Sequence, residues 1–94
     1  MSKPGFDIRN DFYSRGFSVT FANGCTVSVH FGQGNYCENR NNPSPGECKS
    51  AEIAALDPDR NWIRGSFFDN DDVYGWATPA QVLQLMNEVA AWKK

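Results

Sequence analysis

This chain of 94 residues has a single histidine, no C-x-x-C pair and no phosphate-binding glycine loop. Each gap removes a class of chemistry. His30 would need a nucleophile and an orienting acid to form a triad. Cys25 lies five residues away on the same extended arm, an odd spacing that sets the two on opposite faces of a strand. The glycines of Gly32-x-Gly34 are not followed by a helix start, so they do not cradle phosphate. No apolar run approaches the roughly 20 residues that span a bilayer, so a membrane protein is not expected. The first fifteen residues, MSKPGFDIRNDFYSR, lack the apolar core of a secretory signal. Charge of neither sign dominates. The net charge is −2, with basic and acidic residues interspersed. That gives no strong nucleic-acid footprint, and no acidic tract that would mimic DNA.

Cysteine is scarce and odd in number, with Cys25, Cys37 and Cys48. An odd count without a signal segment points to a reducing compartment. The spacing leaves a Cys37–Cys48 bridge open under oxidising conditions. Zinc on Cys25, Cys37, Cys48 and His30 fits no standard knuckle. Asp57-x-Asp59-x-Asn61 imitates the opening of a calcium loop, but Trp62 stands where glycine is required and Phe68 where the closing glutamate belongs. No metal, no cofactor and no enzymatic activity are therefore expected.

What is present is a hairpin. From Gly16 to Phe31 the sequence reads GFSVTFANGCTVSVHF. Phe17, Val19 and Phe21 alternate with Ser18 and Thr20, and Val27, Val29 and Phe31 alternate with Thr26, Ser28 and His30. Period-two alternation gives each arm one buried face and one polar face. Asn23-Gly24 supplies the positive φ angles of a tight turn. The polar face carries Ser18, Thr20, Thr26, Ser28 and His30 and no full charge. It is either plain solvent-facing surface or a surface that meets another chain.

A second hairpin is read from Ala51–Leu56, a turn over Asp57-Pro58-Asp59-Arg60-Asn61, and Trp62–Phe67. Gly65 in the second arm suggests a bulge. After the acidic Asp69–Asp72, the stretch Val73–Trp76 reads as a short extended piece. Thr78-Pro79-Ala80-Gln81 then opens a helix, with an N-cap, a proline at the first helical position and the glutamine of a capping box. Val82, Leu85, Met86, Val89 and Trp92 recur at helical spacing as its apolar face, widened by Leu83 and Ala90. The expected fold is thus α+β: a four-stranded antiparallel meander with the C-terminal helix packed on one face. It forms one small domain over residues 1–94, with residues 1–15 as a loosely ordered arm. That arm docks Phe6, Phe12 and Tyr13 on the core, or else swaps onto a partner subunit.

Residues 32–50 make a long polar loop that exceeds the usual ~12–15-residue limit for structureless connections, a length often tied to function. It brings Asn35, Tyr36, Asn39 and Arg40. Tyrosine offers a rigid amphipathic contact and arginine a planar fork for carboxylate or phosphate. Trp62, Trp76 and Tyr74 form a second candidate binding surface, with at least one of the three expected in the core.

The pattern FSVTFANGCTVSVHFGQGNYCENR, then AEIA followed by D-x-N-W, then GWATPAQV, resembles small accessory proteins encoded by tailed bacteriophages. That resemblance implies the cytoplasm of an infected bacterium as the setting, and it implies no catalytic or binding residues. In that setting a small domain without catalytic motifs suggests a stoichiometric inhibitor of a host protein, such as a defence effector or nuclease. The alternative is a sponge for a nucleotide signal, with Arg40 on phosphate and an aromatic ring on the base. A sponge of this size implies a homo-oligomer, because one small sheet and helix hardly enclose a ligand.

Overall fold

The computed structural model describes residues 3–10, 15–32, 35–37, 48–63 and 73–93. Among these, five strands and one helix follow in chain order: β1 (Gly5–Asn10), β2 (Arg15–Thr20), β3 (Thr26–His30), β4 (Ala51–Leu56), β5 (Val73–Ala77) and α1 (Pro79–Ala90). The strands form one antiparallel sheet in the order β1-β2-β3-β4-β5. The expected meander and C-terminal helix are present, with five strands rather than four.

The added strand is β1. Residues 5–10, expected as part of an arm, pair along β2 from Gly5 opposite Thr20 to Asn10 opposite Arg15. The period-two signal is in the sequence, where Phe6 and Ile8 alternate with Asp7 and Arg9. Phe6 does not dock on the core, since it and Ile8 are each 81% exposed. Phe12 and Tyr13 lie outside the described residues.

The β2–β3 hairpin turns over Ala22-Asn23-Gly24. The Gly24 N–H donates to the Phe21 carbonyl, and the Phe21 N–H to the Cys25 carbonyl, both at 2.9 Å. Only Gly24 takes a positive φ here, at 86°. This is the three-residue connection in which a glycine closes the loop. Asn23, expected to share the positive φ, is instead free to use its side chain elsewhere. Its Oδ1 accepts the Cys25 N–H at 3.0 Å, while its Nδ2 donates to the carbonyls of Val89, Ala90 and Trp92 at 2.9, 3.2 and 3.1 Å. A turn residue thus closes the C-terminal end of α1.

The second hairpin is split. Asp57 organises its turn: the carboxylate accepts the N–H groups of Asp59 and Asn61, and the backbone carbonyl accepts that of Arg60. Trp62 bridges Leu56, and the Ile63 N–H donates to Ala55. The expected arm beyond Ile63 lies outside the described residues. Along β4 the pairing passes to β5, with Ala54 opposite Val73, Ile53 opposite Tyr74 and Ala51 opposite Ala77.

Helix α1 carries the expected cap. The Gln81 N–H donates to Thr78 Oγ1 at 3.2 Å, and the Thr78 N–H to Gln81 Oε1 at 2.8 Å. Leu85 and Val89 are buried against Cys25, Val27, Val29, Ile53, Ala55 and Ala77, with Val82, Met86 and Trp92 packed around them. Burying a side chain such as Ile53 or Leu85 contributes roughly 1.5–3 kcal/mol. Leu83, expected to widen this face, is 60% exposed, and Ala90 is exposed too. The helix lies over β3, β4 and β5. A sheet of five strands is wider than one helix, so the apolar side of β1 extends past its cover.

Candidate functional site

Opposite Glu52 the chain of β5 bulges. Between the pairs Ala51–Ala77 and Ile53–Tyr74, two β5 residues, Gly75 and Trp76, stand against one β4 residue. The bulge opens toward the segment 35–37. The Trp76 N–H donates to the Tyr36 carbonyl at 2.8 Å instead of to β4. The Tyr36 N–H donates to Glu52 Oε2 at 2.9 Å. Gly75 makes the approach possible, since a Cβ there would lie 2.9 Å from Tyr36 Cβ and 3.2 Å from Tyr36 O.

The two rings meet, with centroids 5.9 Å apart and planes tilted by 37°. Both remain open to solvent, Tyr36 at 43% and Trp76 at 54%. Trp76 holds φ at 53°, in the left-handed region. A bulky L-residue there costs roughly 1–2 kcal/mol. The fold sustains that strain and leaves the indole at the surface beside a tyrosine whose backbone is fixed at both its N–H and its carbonyl. Rigid exposed aromatics of this kind anchor binding partners.

The strain has a measurable consequence. Trp76→Gly and Trp76→Ala remove the same indole, but only glycine relieves the backbone. Trp76→Gly should therefore be more stable than Trp76→Ala by about 0.5–1 kcal/mol, after allowing for glycine's greater chain entropy. Urea denaturation of the two variants checks this. Equal stabilities would mean that residue 76 is not held in the left-handed region.

The other candidate residues are scattered. Asn35 is buried; its Oδ1 accepts the Gly32 N–H at 2.9 Å and its own N–H donates to Gly32 O at 3.1 Å. It shapes the loop rather than a surface. Trp62 is exposed at the Leu56 end of β4, away from the Ala51 end where Trp76 stands. Asn39 and Arg40 lie outside the described residues.

The open side of the sheet carries a second feature. Asp7, Arg9, Ser18, Thr26, Ser28, His30 and Arg60 line a hollow of about 410 Å³, continued toward Lys3 and Thr20 by a neighbouring one of about 320 Å³. The expectation of an uncharged face holds for β2 and β3 but not for the whole face. Strand β1 adds Asp7 and Arg9, and the Asp57–Asn61 turn adds Arg60, whose Nη1 donates to Thr26 Oγ1 at 3.5 Å.

The cysteines are all free thiols. The Cys37–Cys48 bridge that the sequence left open under oxidising conditions is not present in this structure. Cys37 Sγ donates to Gly32 O at 3.5 Å and Cys48 Sγ to Ser50 O at 2.9 Å. Cys25 belongs to the core and His30 to the open face, so strand alternation keeps them apart. Burial, and then the Asp57 carboxylate, push the Cys25 thiol above its ordinary range, which makes it a poor nucleophile. Among the described residues, no cluster of histidine, cysteine and carboxylate side chains could hold a metal ion, and no helix is long and apolar enough to cross a membrane. Comparison of the chain with protein-family models, with characterised proteins and with solved structures finds no match.

Proposed function

We propose that this chain is a non-catalytic binding protein that docks on another protein through the Tyr36–Trp76 pair. One observation carries the reading: an exposed tryptophan kept in a strained left-handed conformation, with its ring against an equally exposed tyrosine. Strain that persists in a native fold points to a functional demand. Aromatic side chains on a fixed backbone lose little entropy on binding, which suits them to anchor an interface. In the setting implied by the resemblance to phage accessory proteins, the partner is a bacterial host protein. Covering its surface makes this chain a stoichiometric counter-defence inhibitor in the host cytoplasm.

The test is capture of a partner from lysate of a phage-susceptible bacterium, followed by affinity measurement with the purified pair. Tyr36→Ala and Trp76→Ala should each weaken binding by about thirty-fold, the ~2 kcal/mol of an interface hot spot. Full affinity in the double variant would remove this surface from the interface.

A second reading rests on the polar hollow. Its volume lies in the range of small-ligand sites, and Arg9, Arg60 and His30 line it, side chains suited to an anionic nucleotide. Apart from Ile8 and Leu56 its lining is polar, where such sites are mostly apolar, so it ranks second. Sequestration of a nucleotide signal predicts a thermal shift with nucleotides that Arg60→Ala abolishes and Trp76→Ala leaves intact.

A further inference from the structure

We infer that β1 is a self-pairing edge, and that two copies of this chain join through it into one continuous antiparallel sheet of ten strands. The argument starts from backbone alternation. Along β2 the odd-numbered residues bond to β3: the Phe31 N–H donates to Arg15 O, and the Phe21 N–H to Cys25 O. The even-numbered residues Gly16, Ser18 and Thr20 therefore turn their backbone groups toward β1. Their partners are Arg9, Asp7 and Gly5. Phe6, Ile8 and Asn10 are left presenting N–H and C=O groups outward along the edge that no other described strand pairs with.

A second strand can bond to this edge only in registers that set outward-facing residues opposite one another. For two antiparallel copies of β1 the charges select among them. With Ile8 opposite its own twofold mate, Asp7 faces Arg9 across the junction twice, and Phe6 faces Asn10. A shift by two residues in one direction sets Asp7 against Asp7; in the other it sets Arg9 against Arg9. Asp7 and Arg9 fall at non-hydrogen-bonded positions, where opposing side chains come closest. The strand is thus complementary to itself in one register and repelled in its neighbours. Pro4, the next outward position, has no N–H to extend the ladder.

The side chains agree with this pairing. Edge strands are usually blunted by charges on both faces or by a covering element. Here Phe6 and Ile8, opposite Val19 and Phe17, carry the apolar face past the helix and stand 81% exposed. The twofold axis runs through the sheet, so the two helices stay on one side. Phe6 and Ile8 of each copy then meet those of the other on that side. The aromatic pair lies at the opposite edge, where Tyr36 packs on Trp76 of β5, so the dimer displays two anchors at its far ends. This inference does not depend on what those anchors bind.

The test is the mass of the purified chain by light scattering over a concentration series. The expected mass is twice the 10.5 kDa of one chain. Asp7→Arg and Arg9→Asp should each raise the dissociation constant at least about thirty-fold, because each places like charges face to face at two sites. Mixed together, the two variants should recover a dimer, since every charged pair across the junction is then opposite in sign. Ile8→Lys, a change at an exposed side chain that leaves the fold intact, should also yield monomers. A wild-type monomer well above micromolar concentration would overturn the proposal. So would a dimer indifferent to Ile8→Lys or to both charge swaps, which would place the contact elsewhere. Monomeric single variants that stay monomeric when mixed would overturn the register.

Discussion

Replacing Gly16 with alanine should destabilise the fold by about 3 kcal/mol or more. At the ~4 °C per kcal/mol expected for a domain of this size, the melting temperature falls by at least about 12 °C. The reason is backbone against backbone. A Cβ built on Gly16 collides with the Val29 carbonyl oxygen and lies 2.8 Å from both Cα and Cδ2 of His30. The imidazole can swing aside, but the carbonyl and the Cα belong to the β3 backbone. Relief requires β2 and β3 to separate where Gly16 pairs with His30, beside the Arg15–Phe31 bond of 2.8 Å. Those strands carry Phe17 and Val29 into the interior, so the separation also loosens the core. Gly16 adds a φ of +153°, a region that side chains avoid. Gly5 supplies the control. Its φ is +151°, yet nothing lies within 4 Å of its Cβ position. Gly5→Ala should therefore cost only the backbone penalty, about 1–2 kcal/mol. Thermal and urea denaturation of both variants separate the collision from the torsion. A Gly16→Ala protein melting as high as Gly5→Ala would contradict the close approach of β2 to β3.

Which parts of this architecture are legible in the sequence follows from the range of the interactions. The central hairpin and the helix start are local. Alternating Val27 and Val29, the glycine of the turn, and Thr78-Pro79-x-Gln81 each determine structure within a few residues. Strand β1 carries the same alternation in Phe6-Asp7-Ile8-Arg9, but beside a chain terminus an exposed edge strand and a loose arm look alike. In β5 the bulge at Gly75-Trp76 breaks the period-two pattern, so only an extended piece is recognisable. The Tyr36–Trp76 contact joins residues forty apart, and no local preference announces it. The aromatic content of each segment flags them individually; only the register of β4 with β5 brings the rings together. Trp62, equally aromatic and equally exposed, is carried to the other end of the same strand. Asn23 fails to announce itself for the opposite reason: its turn role is a complete local explanation, and its contact with the helix is hidden behind it.

Asn23→Asp, which changes one amide nitrogen for an oxygen, should destabilise the protein by about 3 kcal/mol at neutral pH, more than Asn23→Ala at about 2 kcal/mol. The Asn23 Nδ2 donates to three carbonyls, those of Val89, Ala90 and Trp92, where α1 ends. Alanine loses those bonds, together with the one from the Cys25 N–H to Oδ1. A carboxylate keeps the Cys25 bond but turns a second oxygen toward the three carbonyls. There it meets the negative end of the helix dipole. The charged form is disfavoured in the fold, so the introduced carboxyl titrates above the ordinary aspartate value of about 3.9. The sign of the pH dependence follows. Below that value the carboxyl is protonated in both states and can donate as the amide does, so the deficit is smallest in acid. As pH rises through the folded-state value, the unfolded chain has already released its proton, and the deficit grows to its neutral-pH size. Asn23→Ala has no group to titrate and should show a deficit independent of pH. Denaturation of both variants at acid and neutral pH, each referred to wild type at the same pH, distinguishes a donor lost from a charge misplaced. If the two deficits run parallel across that range, Asn23 acts only within its own turn, and the end of α1 is held by packing alone.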